Sequence, residues 1–450
     1  MTTDTRMSWG EALRLYTRGR VVTMLFLGFS AGLPFLLVFS TLSLWLSEAN
    51  VEKATIGFFS WIGITYSIKF FWAPVIDRLP FPYLTKRFGR RRSWMLVGQI
   101  GIAIGLCGMA LTDPESQLLW IALFGLVVAF SSATQDIAID AFRIESAIPE
   151  WQGIMSAMYV YGYKLGILVA GAGALYIAHF SSWGFAYFMM AAFMSVGMIT
   201  VFLIREPETK VSQDTYLEEQ RVITYLENSA HITHNRRMMT AWIIGAVVCP
   251  FVDFFKRNGL WFALIILAFV GVYRISDITM GVMANPFYND LGFTKLEIAN
   301  VSKIFGFVMS IIGTFLGGLF VARYGIMKPL LAGAVLVAVT NLLFAYLATK
   351  GADITWLTVV ISADNLSGGF AVAAFIAYLS SLTNTAYTAT QYALFSSFMT
   401  LPAKFIGGFS GVVVEEVGYE WFFIYASALG LPAILLVMLL MYRMNADKRH

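Results

Sequence analysis

The chain has 450 residues, of which 58% are hydrophobic and only 13% charged, with a mean hydropathy of +0.71. That charged share is about half of the ~25% usual in a soluble domain, so one water-facing globule cannot hide the apolar residues. A net charge of +4 gives no reason to expect a nucleic-acid partner, and what remains is an integral membrane protein.

A helix needs about 20 mainly apolar residues to cross the hydrocarbon core, because every backbone amide there must be satisfied internally. Twelve runs meet that need, and the fold class they imply is all-α, in two sets of six. The first set covers Val21–Leu46, Thr55–Ile76, Ser93–Leu111, Leu118–Phe142, Gly153–Ala178 and Gly184–Ile204. The second covers Gly259–Asn285, Leu296–Ala322, Pro329–Ala348, Ile354–Leu382, Ala389–Val414 and Tyr419–Tyr442. The first run is too long for a cleavable signal and is followed by no small-residue cleavage site. Between the sets, 205–258 is polar in its first half. Its later part, Met238–Phe255, is apolar but short and interrupted by Pro250 and Asp253, which reads as an interfacial helix rather than a thirteenth span. The expected division is therefore a bundle over 1–204, a linker over 205–258 and a second bundle over 259–450.

Lys and Arg set the orientation. With the N-terminus inside, four basic residues precede span 1, six lie between spans 2 and 3, and seven lie in the linker. The outer loops hold only Lys53, Lys295 and Lys350. Both termini are expected in the cytoplasm.

The two halves echo one another. Span 2 ends Trp72-Ala73-Pro74-Val75-Ile76-Asp77-Arg78 and is followed by Gly89-Arg90-Arg91-Arg92; span 8 ends Ala322-Arg323-Tyr324-Gly325, with Lys328 soon after. Internal repeats of this kind mark many secondary transporters. An Arg at a helix end can latch two bundle states by pairing with a neighbouring helix in only one of them, or it can simply set topology. Charge placement leaves both readings open.

The Asp77-Arg78…Gly89-Arg90-Arg91 element resembles the signature between helices 2 and 3 of the major facilitator superfamily. Ala73 stands in place of its leading glycine, Leu79–Phe88 is extra, and Ala322 replaces the aspartate in the second copy. More specifically, Gly28-Phe29-Ser30-Ala31-Gly32-Leu33-Pro34, Lys69-Phe70-Phe71-Trp72-Ala73-Pro74, Ser132-Ala133-Thr134-Gln135-Asp136-Ile137 and Gly162-Tyr163-Lys164-Leu165-Gly166 resemble the AmpG family. The resemblance implies a proton-driven importer of anhydro-muropeptides in the bacterial inner membrane, working by alternating access, as a monomer and with no cofactor. Its partners would be a small glycopeptide, protons and the bilayer. A family of acetyl-CoA transporters is distantly similar, so a facilitator for another bulky anionic conjugate is the alternative. In the facilitator fold, helices 1, 4, 7 and 10 line a central cavity.

Ionisable groups inside a span are costly unless paired or hydrated, which makes each a functional candidate. Asp136 and Asp140 share one face of span 4, where like charges make a protonatable site plausible. Thr134 and Gln135 offer groups suited to sugar or peptide, although a Gln can equally bond helix to helix. In span 7, Arg274 and Asp277 either neutralise each other or leave Arg274 to hold a substrate carboxylate. Asp364 and Asn365, beside Gly368-Gly369, form the polar cluster of span 10. Lys69 is expected to snorkel to the interface; Lys303 and Lys404 receive no role. At the helical rise Asp136 lies roughly 15 Å, and Lys164 roughly 18 Å, from the cytoplasmic face, so these two are expected to pair in one state. Asp136, Asp140 and Lys164 thus carry proton coupling. Thr134, Gln135, Lys164, Arg274, Asp277, Asp364 and Asn365 bind substrate, and Asp77, Arg78, Arg90, Arg91 and Arg323 gate. An enzyme is disfavoured, since Cys107 and Cys249 lie far apart, His231 and His234 lack companion ligands, and His179 has no acid beside it.

Overall fold

A computed structural model describes residues 9–49, 51, 59–148, 151–207, 248–294, 297–407 and 409–447. Ten helices among them are long and apolar enough to cross a membrane. The principal helices are α1 (Gly19–Leu37), α2 (Ala73–Arg78), α3 (Arg90–Ala110), α4 (Leu118–Glu145), α5 (Gln152–Leu168) and α6 (Trp183–Phe193) in the first half. The second half has α7 (Ile275–Asp290), α8 (Gly306–Tyr324), α9 (Met327–Lys350), α10 (Ile354–Ser381), α11 (Thr388–Gly407) and α12 (Leu431–Asp447). Of the linker, only 205–207 and 248–258 are described; His231, His234 and most of Met238–Phe255 lie outside.

Several expected continuous spans are interrupted. Span 2 is a chain of short pieces, Ser60–Gly63, Ile64–Ser67 and Lys69–Phe71, before α2 begins with Pro74 in its first turn. Proline has no amide to give Phe70 and its ring would strike that carbonyl, so the helix must restart there. Span 5 passes from α5 through a π-turn at Val169–Gly173, rich in small residues, into Ala174–Phe180. Span 7 breaks between Leu260–Val272 and α7, which leaves Arg274 at the N-cap of a helix that starts inside the span. Gly418, at φ 78°, kinks the run Ser410–Ala428 where spans 11 and 12 were expected to part.

Glycines bring the central helices into backbone contact. On α1 a Cβ at Gly28 or Gly32 would strike the Tyr159 or Tyr163 carbonyl of α5, and Gly162 and Gly166 face α1 in return. Gly313 and Gly317 of α8 meet Leu366 and Phe370 of α10 in the same way. These small-residue seams bring helix backbones into close contact where lipid supplies no hydrophobic drive. One buried apolar cluster joins the halves at the basic end of the bundle, holding Ile76, Ile137, Ala138 and Ile154 of the first half against Leu319, Ala322, Ala389 and Ala393 of the second.

Candidate functional site

Polar contacts between the halves begin at the basic end. The Arg91 guanidinium, wholly buried, lies 2.7 Å from Asp77 and 2.5 Å from Glu145, and donates to the Ile76 carbonyl at 3.3 Å. Asp77 in turn accepts from the backbone N–H of Ala389 at 3.1 Å and Thr390 at 2.6 Å, and from the Thr390 hydroxyl at 2.7 Å. These are the first-turn donors of α11, so a carboxylate of one half caps a helix of the other, where the unpaired amides and the helix dipole both favour negative charge. Arg90 donates to the Asp77 carbonyl. Glu206 performs the same service for α3, accepting from the N–H of Arg91 at 2.7 Å and Arg92 at 3.1 Å. Burial pushes its carboxyl above the usual carboxylate range, against the lowering pull of those two amides.

Arg78 lies over the Tyr387 ring at 5.7 Å, across the seam. Arg323, the counterpart in the second copy, joins no such cluster: Nε and Nη1 find no hydrogen-bond acceptor among the described residues, and its guanidinium lies over Tyr324 at 5.6 Å. The position that matches Asp77 of the first copy is Ala322 in this chain. The first turn of α11 is held from a second side by the helix Cys249–Asn258. There Asp253 accepts from Asn384 at 2.8 Å, Gln391 at 2.9 Å and Arg257 at 2.9 Å. The short helix Trp9–Leu15 also crosses the seam: Trp9 packs edge-on against Phe320, and the Tyr16 hydroxyl donates to the Phe315 carbonyl at 3.0 Å.

One turn further in, Arg143 is wholly buried. It lies 3.3 Å from Asp140 and donates to Ser156 at 3.1 Å and, across the seam, to Ser380 at 2.8 Å, while the Tyr392 ring lies 5.2 Å from its guanidinium. Above it the Tyr161 hydroxyl donates to the Ile311 carbonyl at 2.9 Å, and Lys164 donates to the Ser310 hydroxyl.

Lys164 and Ser310 form part of the wall of a cavity of about 250 Å³, which Arg274, Asp277, Thr314, Asp364, Asn365, Gly368 and Gly369 also line, with Val160 and Val372. Arg274 and Asp277 form an ion pair, 2.5 Å at the closest, and each is about a quarter exposed, so the pair stays accessible from the cavity. Of the seven expected substrate groups, Lys164, Arg274, Asp277, Asp364 and Asn365 therefore come together. Thr134 and Gln135 do not. Gln135 is wholly buried, accepting from the Ser30 hydroxyl at 2.7 Å and donating to the Ser30 carbonyl at 3.0 Å, which is the helix-to-helix use. Thr134 accepts from the Trp72 indole at 3.1 Å.

The expected Asp136–Lys164 pair is not formed in this conformation. Lys164 faces α8, where it donates to Ser310 and lines the cavity with Asp277 and Arg274, whereas Asp136 has one buried oxygen with no hydrogen-bond partner among the described residues. Depth along two antiparallel helices fixes height and leaves azimuth open, and the two groups leave their helices in different directions. Lys69, expected to snorkel outwards, is held in the turn Lys69–Phe71 within electrostatic reach of Asp136. Arg143, Glu145, Ser310, Ser380 and Thr390 were not singled out from the sequence. The signal for the first two was the end of span 4, drawn one residue short of Arg143.

A family profile described as Major Facilitator Superfamily matches residues 24–405 and 272–450. The chain is 32% identical over 434 residues to transporter AmpG 4 of Rickettsia conorii, covering 96% of this chain and 99% of that one. It is 32% identical over 430 residues to the anhydromuropeptide permease of Escherichia coli K12, covering 95% of this chain and 81% of that one. The fold is also that of the proton:xylose symporter XylE, with a TM-score of 0.64 at 13% identity over 96% of both chains. With the signature residues Asp77, Arg90 and Arg91 folded around the start of α11, the chain belongs to the major facilitator superfamily and, within it, to the AmpG family of multi-pass membrane transporters.

Proposed function

We propose that this protein imports anhydro-muropeptides, the disaccharide and its peptide-bearing forms, across the bacterial inner membrane by proton-coupled alternating access. The name of the Escherichia coli relative supplies the substrate class, and the cavity supports it. The observation that carries the reading is the meeting of Lys164, the Arg274–Asp277 pair, Asp364 and Asn365 around one space between the halves, directly above a seam closed by the buried hydrogen bonds of Asp77 and Arg143 across it. Fixed cations suit the carboxylates of a peptide stem, with the Arg fork the better geometric match. The acids and the amide suit sugar hydroxyls and acetamido groups.

The excess of Lys and Arg assigns the basic end to the cytoplasm. In that orientation the conformation described is shut on the cytoplasmic side, with the cavity lying beyond that closure. Asp77, Arg90 and Arg91, with Glu145, are the latch of that state, and Arg78 adds its cation–π contact. Asp136 and Asp140, near Lys69 and Arg143, are the proton site, and Asp136 keeps one buried oxygen with no hydrogen-bond partner among the described residues. The test is uptake of labelled anhydro-muropeptide by proteoliposomes, with and without an inward proton gradient. Accumulation that needs the gradient supports the reading, and uptake of acetyl-CoA but of no muropeptide overturns the substrate class.

A further inference from the structure

Gly368 has no packing reason to be glycine. It lies in α10 four residues after Asp364 and three after Asn365, so all three share one face, and it lines the cavity beside Lys164 and the Arg274–Asp277 pair. Among the described residues, a Cβ built on Gly368 would meet no atom within 4 Å. Its neighbour Gly369 is different: a Cβ there would strike the Ser310 carbonyl of α8, so the α8–α10 seam requires a bare backbone. Nor does the backbone require it, since Gly368 is not among the residues with positive φ. Glycine inside a helix is unfavourable relative to alanine. A glycine with neither a packing nor a conformational reason, on the wall of a charged cavity, leaves the empty space itself as the property retained.

We propose that Gly368 is a specificity-determining residue. Its bare helix face keeps the room in which one sugar ring of the substrate lies flat between α10 and the Lys164 and Arg274 side chains. This deepens the reading of the protein as an anhydro-muropeptide importer and rests on it. At about 250 Å³ the cavity falls just below the roughly 300–1,000 Å³ typical of sites that enclose a whole ligand, so it holds one ring while the rest of the molecule extends out of it. In so small a space one added methyl falls where the ring must be.

The experiment compares wild type with Gly368→Ala, Gly368→Val and Gly369→Ala, measuring membrane level, melting temperature and the KM for uptake of the anhydro-disaccharide with and without its peptide. Gly368→Ala should keep the wild-type level and melt at the same or a higher temperature. Its KM should rise about tenfold or more for both substrates, since one misfitting methylene in a shaped site is worth roughly 10- to 200-fold. Gly368→Val should be worse, again at normal level, while Gly369→Ala should lose level and melting temperature together. The inference is overturned by a Gly368→Ala protein with wild-type KM, by a KM rise confined to the peptide-bearing form, or by an uptake loss that merely follows protein level; each leaves the importer reading standing. A wild-type protein that takes up neither muropeptide overturns both.

Discussion

Asp77→Asn removes a charge from the closed end while keeping the shape of the side chain. The wild-type carboxylate touches Arg91 at 2.7 Å and accepts three bonds from the first turn of α11. An amide offers one acceptor oxygen and no charge, so it retains one or two of those bonds in weakened form. Arg91 still has Glu145 at 2.5 Å, so no buried cation is stranded and the ~3–5 kcal/mol for orphaning a buried charge is an upper limit. The loss of one or two charge-assisted bonds, about 1.5–3 kcal/mol each, sets the expected cost at about 2–4 kcal/mol. The contacts to Ala389 and Thr390 cross between the halves, so this cost falls on the closed state alone and shifts the equilibrium toward opening by roughly 30- to 1,000-fold. Spin labels on Tyr83, which is 91% exposed, and on Lys328 would report the gap between the halves at this end, in a Cys107→Ala, Cys249→Ala background reconstituted into nanodiscs. The variant should move the distance distribution from a short to a long population and impair transport at normal membrane level. An unchanged distribution with transport lost would refute the latch, and a matching loss of protein would return Asp77 to a folding role.

Arg143→Gln strands Asp140 and removes the bond to Ser380, so a loss of about 3–5 kcal/mol should appear as poor membrane level. Arg143→Lys keeps the charge beside Asp140 but cannot reach Ser156 and Ser380 together; it should be present at normal level with slowed transport, which quantitative blotting and initial uptake rates would separate. Asp136→Asn should permit exchange of substrate without a gradient while abolishing proton-driven accumulation; if accumulation survives, Asp140 or Asp277 carries the coupling. Lys164→Met should raise the KM for anionic muropeptides by about 10- to 150-fold, from the ~1.5–3 kcal/mol of a charged hydrogen bond. The same variant should leave uptake of an uncharged disaccharide analogue close to normal, and an equal loss for both would remove Lys164 from substrate recognition.

Apolar run length made the bundle readable in the sequence, because hydrocarbon enforces helices of a set span. The interruptions were partly readable: Pro74 announces the restart of α2, whereas nothing in Leu260–Asn285 marks the break that leaves Arg274 at a helix start inside span 7. Site residues were legible where chemistry alone selected them, as with Lys164, Arg274, Asp277, Asp364 and Asn365, which are rare charged or amide groups in apolar helices and converge on one cavity. They were not legible where the role depends on direction. Gln135 carries the same chemistry but turns toward Ser30, and Asp136 and Lys164 share a depth without sharing a face. Thr388–Gln391 looked like the ordinary start of a span, and its importance comes from a carboxylate more than 300 positions earlier in the chain.

The cross-half contacts made by α4, α5 and the end of span 2 form a column with a definite top, set apart from the Lys404–Ser67 contact on α11. Measured along α5 from Gln152, Tyr161 lies roughly 13 Å and Lys164 roughly 18 Å from the basic end, with Arg143 and then Asp77 below them. Lys164 is both the uppermost contact of that column and part of the cavity wall, so a substrate anion competes with Ser310 for the same ammonium group. Drawing Lys164 upward removes one contact and leaves the Arg143 and Asp77 tiers intact. A ligand moves an equilibrium only by its differential affinity for the two states, and the substrate's leverage ends at Lys164. Opening therefore needs a second event deeper in the column. The groups placed to provide it are Asp136 and Asp140, because Asp140 holds Arg143 through Nη2 while Nη1 donates to Ser380. Neutralising Asp140 would change how Arg143 is held, and with it the middle tier, so in the proposed mechanism substrate and proton would act on adjacent levels of one structure. In the proposed mechanism the order of action would follow from position, with the substrate loosening the top and the proton the middle. The Asp77 latch then faces a bundle already weakened above it.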